Sequence, residues 1–207
     1  ARYDFARLQR IRPFDIEIVN NGYNILLGIS DEIPESQGRE MMSKLRTIIN
    51  AFSRELHDIT GGRAFIDTVR IIVPNSWTLS NNYVYADGET VSKSNILISK
   101  GDSSNQEPAV QDYLRGTSKN PYRAIIVPHS FVERNSGDPN VGQTILVQWF
   151  TLKYGINRTY EGLRNEMQST KTCEDTTNPT PFCKVKSLIS IQARLLSFQN
   201  PTYKLDL

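Results

Sequence analysis

The sequence predicts a mixed α/β protein, of the α/β or α+β class, because strand-like and helix-like segments alternate along its 207 residues. Short apolar runs bounded by turn formers indicate strands, and longer stretches with apolar residues every three or four positions indicate helices. The length suits a single domain, and a hydrophobic content of 38% is sufficient for a core, so we do not expect a disordered chain.

The charge balance argues against two classes of partner. The chain has 24 basic and 22 acidic residues, interspersed, for a formal net charge of +2. Because there is no basic stripe and no acidic tail, we expect neither nucleic acid nor a membrane surface as a partner. The longest apolar candidate, "TILVQWF", is far shorter than the roughly 18 residues that span a bilayer, so no transmembrane segment is predicted.

The first half of the chain predicts a strand and a long helix. The run "YNILLGI" (23–29) is rich in strand formers and is followed by a turn that contains Pro34. Residues 36–59 then follow a helical period, and Gly61 and Gly62 predict the end of the helix. The apolar residues in step with that period are Met41, Leu45, Ile48, Ile49, Phe52, Leu56 and Ile59.

The rest of the chain, from residue 64 onward, predicts three more strands and two more helices. Residues 64–73, 94–99 and 123–127 read as strands, and the polar stretch between the last two reads as a long loop. A helix is predicted from Val141 to Tyr154, and another over residues 186–198. The apolar face of the first of these helices consists of Val141, Ile145, Trp149 and Leu152.

Two cysteines and one glycosylation sequon favour a secreted protein. Cys173 and Cys183 enclose nine residues, a loop that closes easily, so a disulfide is the leading interpretation and two free thiols the alternative. Asn157 begins the sequon Asn-Arg-Thr. The sequence begins without an initiator methionine or a signal-type apolar segment, so we expect a processed mature protein or an excised piece of a longer one.

Five motifs in order carry a family resemblance: "NNGY" (20–23), "IVPNSW" (72–77), "QEP" (106–108), "AIIVPHSFV" (124–132) and "QWFTLKYG" (148–155). Together they resemble the N-terminal domain of the calcium-activated chloride channel regulator family. The resemblance implies a zincin-like metallopeptidase fold whose active-site helix reads roughly H-E-W-A-H-x-R-W-G. The framework of that helix is kept here in Trp149, an aromatic Tyr154 and a terminal Gly155.

The resemblance also implies that the catalytic positions have been lost. The two histidine places fall on Val147 and Thr151, the glutamate on Gln148, and the third, acidic ligand on the place of Arg158 and Thr159. Zinc requires nitrogen, sulfur or carboxylate donors, which valine lacks and a threonine hydroxyl replaces poorly. A glutamine cannot accept the proton of a metal-bound water, and an arginine would repel a cation. We therefore expect no metal, no cofactor and no catalysis.

Without the resemblance, the helix from Val141 is simply an apolar core helix, which also predicts no catalysis. The domain division that the resemblance suggests is an N-terminal arm (1–19), a family-like core (20–160) and a tail with the disulfide loop and a C-terminal helix (161–207), all within one domain. Asn157 falls beside the missing third ligand, where a glycan would crowd the mouth of the former cleft.

The remaining polar residues suggest structural roles. His57 is expected on the surface near the end of the first helix, where a cation suits the dipole, and His129 in loop packing at a strand end. Asp31, Glu32 and Glu35 precede or begin that helix, where acids stabilise the dipole better than they would form a calcium site. No nucleophile elbow of the G-x-S-x-G type is present.

We therefore expect a secreted pseudoprotease that binds a protein or a glycan or that self-associates. Two alternatives stay open. One is a residual metal-dependent peptidase in which His129, Glu133 or Glu161 converge on a metal, although their spacing gives this no support. The other is a structural or storage protein, which high abundance and regular self-association would reveal.

Overall fold

A computed structural model describes residues 17–19, 22–62, 64–74, 76–78, 94–101, 106–113, 122–168, 182–183 and 185. Ten helices and strands lie in these ranges. The strands are β1 (Glu17–Val19), β2 (Gly22–Ile29), β3 (Phe65–Ile72), β4 (Ile96–Ser99), β5 (Ala109–Tyr113) and β6 (Tyr122–Pro128). The helices are α1 (Glu35–Ile59), α2 (His129–Asn135), α3 (Val141–Tyr154) and α4 (Tyr160–Gln168).

The six strands of the described ranges form one mixed sheet, and four of them lie at the segments that the sequence predicts as strands. Strands β3, β2, β4 and β6 run parallel in that order, and β5 pairs antiparallel with β6 at one side. Strand β1 pairs antiparallel with the beginning of β2, while β4 pairs with its end. The first strand therefore lies within the segment that the sequence suggested was an N-terminal arm.

The core lies between the sheet and the helices. Alternate residues of β2 (Ile25, Leu27 and Ile29) join Phe52 of α1 and Trp149 of α3 in one buried cluster. The residues between them point to the opposite face of the sheet, because side chains alternate along a strand. On that opposite face, residues of β2 and of its neighbours β3, β4 and β6 are buried as well: Leu26, Ile72, Leu97 and Ala124. Burial on both faces explains why these strands read as continuous apolar runs.

Helix α1 has the predicted extent and ends at the predicted place. Gly61 and Gly62 both have positive φ, 64° and 80°, and the Gly62 amide donates to His57 O at 2.7 Å. At the other end, the Glu35 carboxylate accepts hydrogen bonds from the amide and hydroxyl of Thr78 at 3.0 and 2.6 Å. These bonds, together with Arg39, lower the pKa of Glu35 to about 2. The dipole role expected for this acid therefore extends to holding the loop at Thr78.

The structure corrects two local predictions. The polar stretch predicted as a loop before residue 123 contains strand β5, which is stabilised by antiparallel pairing with β6 rather than by apolar content. His129, expected in a loop, is instead the first residue of helix α2, whose buried Phe131 and Val132 anchor it to the core. The helix predicted over residues 186–198 lies outside the described residues.

Candidate functional site

Helix α3 is held against the core by its buried side. Val141, Ile145 and Trp149 are nearly inaccessible, as their spacing predicts. The helix crosses α1 closely at Gly142, where a Cβ atom would lie 2.5 Å from the carbonyl carbon and oxygen of Ala51. The two backbones therefore approach nearer than any side chain at residue 142 would permit.

Aromatic residues fix the orientation of this helix. The Trp149 ring meets the Tyr23 ring edge-on at a centroid distance of 5.2 Å and lies 5.5 Å from the Phe52 ring. The hydroxyls of Tyr23 and Tyr154 are hydrogen-bonded to each other. Burial, with the neighbouring Tyr23 hydroxyl, raises the pKa of Tyr154 well above its usual value, so the phenol stays neutral at physiological pH.

The C-terminal end of α3 is set by glycine, as the sequence predicts. Gly155 has φ 66° and ψ 24°, the left-handed conformation that side-chain-bearing residues rarely adopt. Its amide donates to Thr151 O at 3.2 Å, and the next amide, of Ile156, donates to Phe150 O at 3.1 Å. The loop that follows is thereby folded back on the last turn of the helix.

The structure brings the three predicted motif positions together on one half-buried strip of α3, next to strand β5. Val147 packs against the core. The Thr151 hydroxyl lies 3.2 Å from Val147 O and 3.3 Å from Ile156 O, the two carbonyls to which it donates. Gln148 Oε1 accepts the backbone N–H of Val110 at 3.1 Å. The strip, with Thr144 one turn earlier, is uncharged.

These residues do not fit a zinc ion. Val147 has no donor atom, and the Thr151 hydroxyl is directed at two backbone carbonyls. A primary amide such as that of Gln148 is neutral at any physiological pH, so it cannot serve as the base for a metal-bound water. No metal chemistry can be derived from this set of side chains.

Thr159, at the position where the resemblance places the third ligand, lies at the start of a helix. Thr159 Oγ1 accepts the backbone N–H of Gly162 at 3.1 Å, the geometry of an N-cap residue, and α4 begins at Tyr160. The Arg158 guanidinium donates to Asn157 O at 2.9 Å and lies 3.6 Å from Glu166. Asn157 is exposed in the loop between α3 and α4. Its modification stays a prediction.

The residues weighed as an alternative ligand set lie on two helices. His129 Nε2 lies 3.5 Å from Glu133 Oε1 on α2, and the Lys44 ammonium of α1 binds the other oxygen of Glu133. Glu161 is exposed in the first turn of α4. Within the described ranges, no group of three or more His, Cys, Asp or Glu side chains is placed to hold a metal ion.

His57 lies half-buried in the last turn of α1, with its ring 6.4 Å from the ring of Phe65. Cys183 is not a free thiol, and it lies between the buried Phe182 and Val185. Cys173 lies outside the described residues, so the pairing of the two cysteines stays a prediction.

Sequence reasoning missed the Gln148–Val110 bond and the cap of α4. The bond depends on strand β5, which was predicted as a loop, so no sequence signal pointed to it. The cap did leave a signal: a threonine followed by an acidic residue and by apolar Leu163 and Met167 at helical spacing is typical of a helix start.

The chain matches the family model described as calcium-activated chloride channel N terminal over residues 16–192. It is 24% identical over 144 residues to calcium-activated chloride channel regulator 2 of Homo sapiens, which covers 68% of this chain and 15% of that protein. Regulator 1 of Macaca mulatta is 22% identical over 143 residues, with the same coverage, and regulator 2 of Mus musculus 25% over 173 residues, covering 78% and 18%.

The chain thus corresponds to about 15–18% of the length of these curated relatives. No solved structure matches it. No helix in the described part is long and apolar enough to cross a bilayer. The family match covers most of the 207 residues, including α3 and the motifs on which the resemblance depends: this chain belongs to the family of calcium-activated chloride channel N-terminal domains.

Proposed function

We propose that this chain is a catalytically inactive, metallopeptidase-like domain that works by binding. The observation that supports the proposal is the set of contacts that the side chains at the three motif positions make. Val147 packs against the core, the Thr151 hydroxyl is shared between two carbonyls, and Gln148 bonds to the backbone of β5. Each side chain thus has a structural role and none has a donor that suits zinc.

The fold proposed for this domain is zincin-like, and its support is the combination of a mixed sheet with a helix that lies beside the antiparallel edge strand. The motif positions occur on that helix, one turn apart, on the side nearest the strand. A metallopeptidase helix would need its ligands in such an arrangement, since both must reach one ion.

The chemistry of the strip suits an uncharged partner. Thr144, Val147, Gln148 and Thr151 offer methyl groups, hydroxyls and an amide, with no formal charge among them. Such a surface can contact a protein or a glycan through packing and neutral hydrogen bonds. The relatives are named as regulators of a calcium-activated chloride channel. Any regulatory role of this chain is a proposal that awaits its partner.

We further propose that the domain is secreted, forms one unit over residues 1–207, carries a Cys173–Cys183 disulfide and is glycosylated at Asn157. Asn157 is exposed, which N-glycosylation requires. Mass spectrometry of natively purified protein, before and after reduction and deglycosylation, tests both modifications. An unmodified Asn157 would remove the glycan from the proposal.

Restoring the ligands tests whether the scaffold is that of a metallopeptidase. The variant carries Val147→His, Gln148→Glu, Thr151→His and Arg158→Asp. We expect it to bind one zinc ion at least tenfold more tightly than the control Ser43→His/Thr47→His. The control is matched because Thr47 Oγ1 donates to Ser43 O at 3.1 Å, as Thr151 does to Val147 O, but on the exposed side of α1.

Equal zinc affinity of the two variants would contradict the zincin-like arrangement, since it would show only what any histidine pair one turn apart provides. Neither variant needs to regain peptidase activity for the test to be decisive. Calorimetry and metal analysis are the readouts, with circular dichroism to verify that both variants are folded.

The binding function is tested by blocking the strip. Thr144→Arg places a charge on it and leaves Val147, which packs against the core, unchanged, and Thr47→Arg places a charge on the exposed side of α1. Partners identified by pull-down from the tissue of origin should be lost with the first variant and kept with the second. If both variants retain every partner, the strip is not the binding surface.

A further inference from the structure

Among the strands that the structure describes, β5 lies at an outer edge of the sheet. It pairs with β6 on one side, with Val110 opposite Ile125 and Gln111 opposite Ala124. An edge strand presents unpaired N–H and C=O groups, and these can template the addition of a strand from another molecule. Whether the outward N–H and C=O groups of β5 are open or covered therefore affects self-association of the chain.

The hydrogen bonds between β6 and β4 show in which direction the backbone N–H and C=O groups of β5 point. The Ile125 amide donates to Asn95 O at 2.8 Å, so the polar groups of Ile125 face β4. The pair Val110–Ile125 is consequently a non-hydrogen-bonded pair of the antiparallel ladder, and the N–H and C=O of Val110 point away from β6. The outward N–H is the one that Gln148 Oε1 accepts at 3.1 Å.

The preceding outward position has no donor at all. Pro108, two residues before Val110 and thus of the same parity, has no N–H. It is buried immediately before the strand begins. Proline on a sheet edge is one of the devices that prevents edge pairing. Two successive outward positions of this edge therefore offer no free N–H to an incoming strand.

We propose that Gln148 is an edge-protecting residue, whose side-chain amide closes the outer side of β5 against strand addition by a second copy of this chain. A second copy supplies an identical strand, and two identical edges can pair antiparallel about a twofold axis. The inference stands whether or not the strip on α3 binds a partner, because it concerns only the bond from α3 to β5.

The test compares Gln148→Ala with Gln143→Ala, another half-buried glutamine of α3 changed in the same way. At a protein concentration at which Gln148→Ala is still monomeric, hydrogen exchange followed by NMR should show its Val110 amide exchanging about tenfold faster than in wild type, as expected for one lost hydrogen bond. Sedimentation velocity should show concentration-dependent dimers of that variant only. Wild type and Gln143→Ala should stay alike in both measurements, and Gln148→Glu should keep the amide protected.

A double variant identifies the surface through which dimers form. Gln148→Ala/Val110→Pro removes the outward N–H without removing a bond to β6, so it should be monomeric. The inference is overturned if the Val110 amide exchanges equally in wild type and Gln148→Ala. It is also overturned if Gln148→Ala sediments as wild type does at every concentration, or if the double variant still forms the dimer.

Discussion

Helix α3 has two sides that are stabilised in different ways. On one side Val141, Ile145 and Trp149 are buried against α1 and the sheet. On the other, Val147, Gln148 and Thr151 are half-buried, and their polar atoms bond to backbone groups nearby. The buried side carries an aromatic cluster around Trp149, whereas the half-buried side carries no group that suits zinc.

The buried and the half-buried side of α3 are under different structural requirements. The buried side must fit its neighbours in shape, because interiors are close-packed and tolerate little change. The half-buried side needs only to leave no polar group without a partner. The Gln148 amide and the Thr151 hydroxyl are hydrogen-bonded, and the side chain of Val147 has no polar atom. Three substitutions in α3, and a fourth at the start of α4, measure how unequal these requirements are.

The largest effect is expected on the buried side, at Trp149. Trp149→Ala should lower the free energy of unfolding by about 3–5 kcal/mol, since it leaves a cavity between Tyr23 and Phe52. Trp149→Phe, which keeps one ring, should cost clearly less. Urea unfolding measures both, and equal losses would show that filling the site with a ring is not what matters.

Gly142→Ala should cost about 2–3 kcal/mol, because its methyl group would meet the backbone of Ala51 at 2.5 Å and force the helices apart. Gly137→Ala is the matched control, with no atom within 4 Å of the added Cβ. Thermal unfolding of the two variants gives the comparison. If Gly142→Ala were as stable as Gly137→Ala, the close crossing of α1 and α3 would be incorrect.

At Thr159, the cap of α4, the expected effect is moderate. Thr159→Ala removes the cap of α4 and should cost about 1 kcal/mol. Thr159→Ser keeps both the capping oxygen and the sequon, so it should stay near wild type. Bacterially expressed protein, which is free of N-glycans, separates capping from glycosylation. A loss with serine as large as with alanine would contradict the capping role.

The smallest effect is expected on the half-buried side, at Thr151. Thr151→Val keeps the shape and removes two long hydrogen bonds, so it should cost only about 0.5 kcal/mol. Chemical denaturation at several protein concentrations is the measurement. A loss approaching that of Trp149→Ala would mean that the two sides of α3 are equally constrained and that the contrast drawn between them is wrong.

Much of the fold could be predicted from the sequence where one physical rule dominated. The three- and four-residue spacing from Met41 to Ile59 determines α1, because a helix with such an apolar face must bury it. Helix α3 was predicted at its observed bounds for the same reason. The family itself was identified from five short motifs, and the family model confirms it.

Strand β5 could not be predicted, because its stability comes from elsewhere in the chain. The segment "AVQDY" lacks the apolar run that marks a strand, and pairing with β6 supplies what propensity does not. The contacts that other residues make with β5 were therefore missed as well. The Gln148 bond to Val110 joins residues 38 positions apart, and no local pattern encodes such a contact.

The identity of the motif positions was readable from the sequence, but their roles were not. Val147, Gln148 and Thr151 were recognised by what they lack, whereas the structure shows what each of them contacts. Thr159 is predicted to stand at a third-ligand position, which stays a prediction, and the structure shows that it caps α4.

We propose that the half-buried side of α3 serves structure and binding rather than metal chemistry. Zinc titration calorimetry on natively purified protein, together with its metal content by mass spectrometry, is the decisive measurement. We expect no stoichiometric zinc and no titratable site. Near-stoichiometric zinc held at a saturable site would contradict it, and the residues that hold the ion would then have to be sought outside Val147, Gln148 and Thr151.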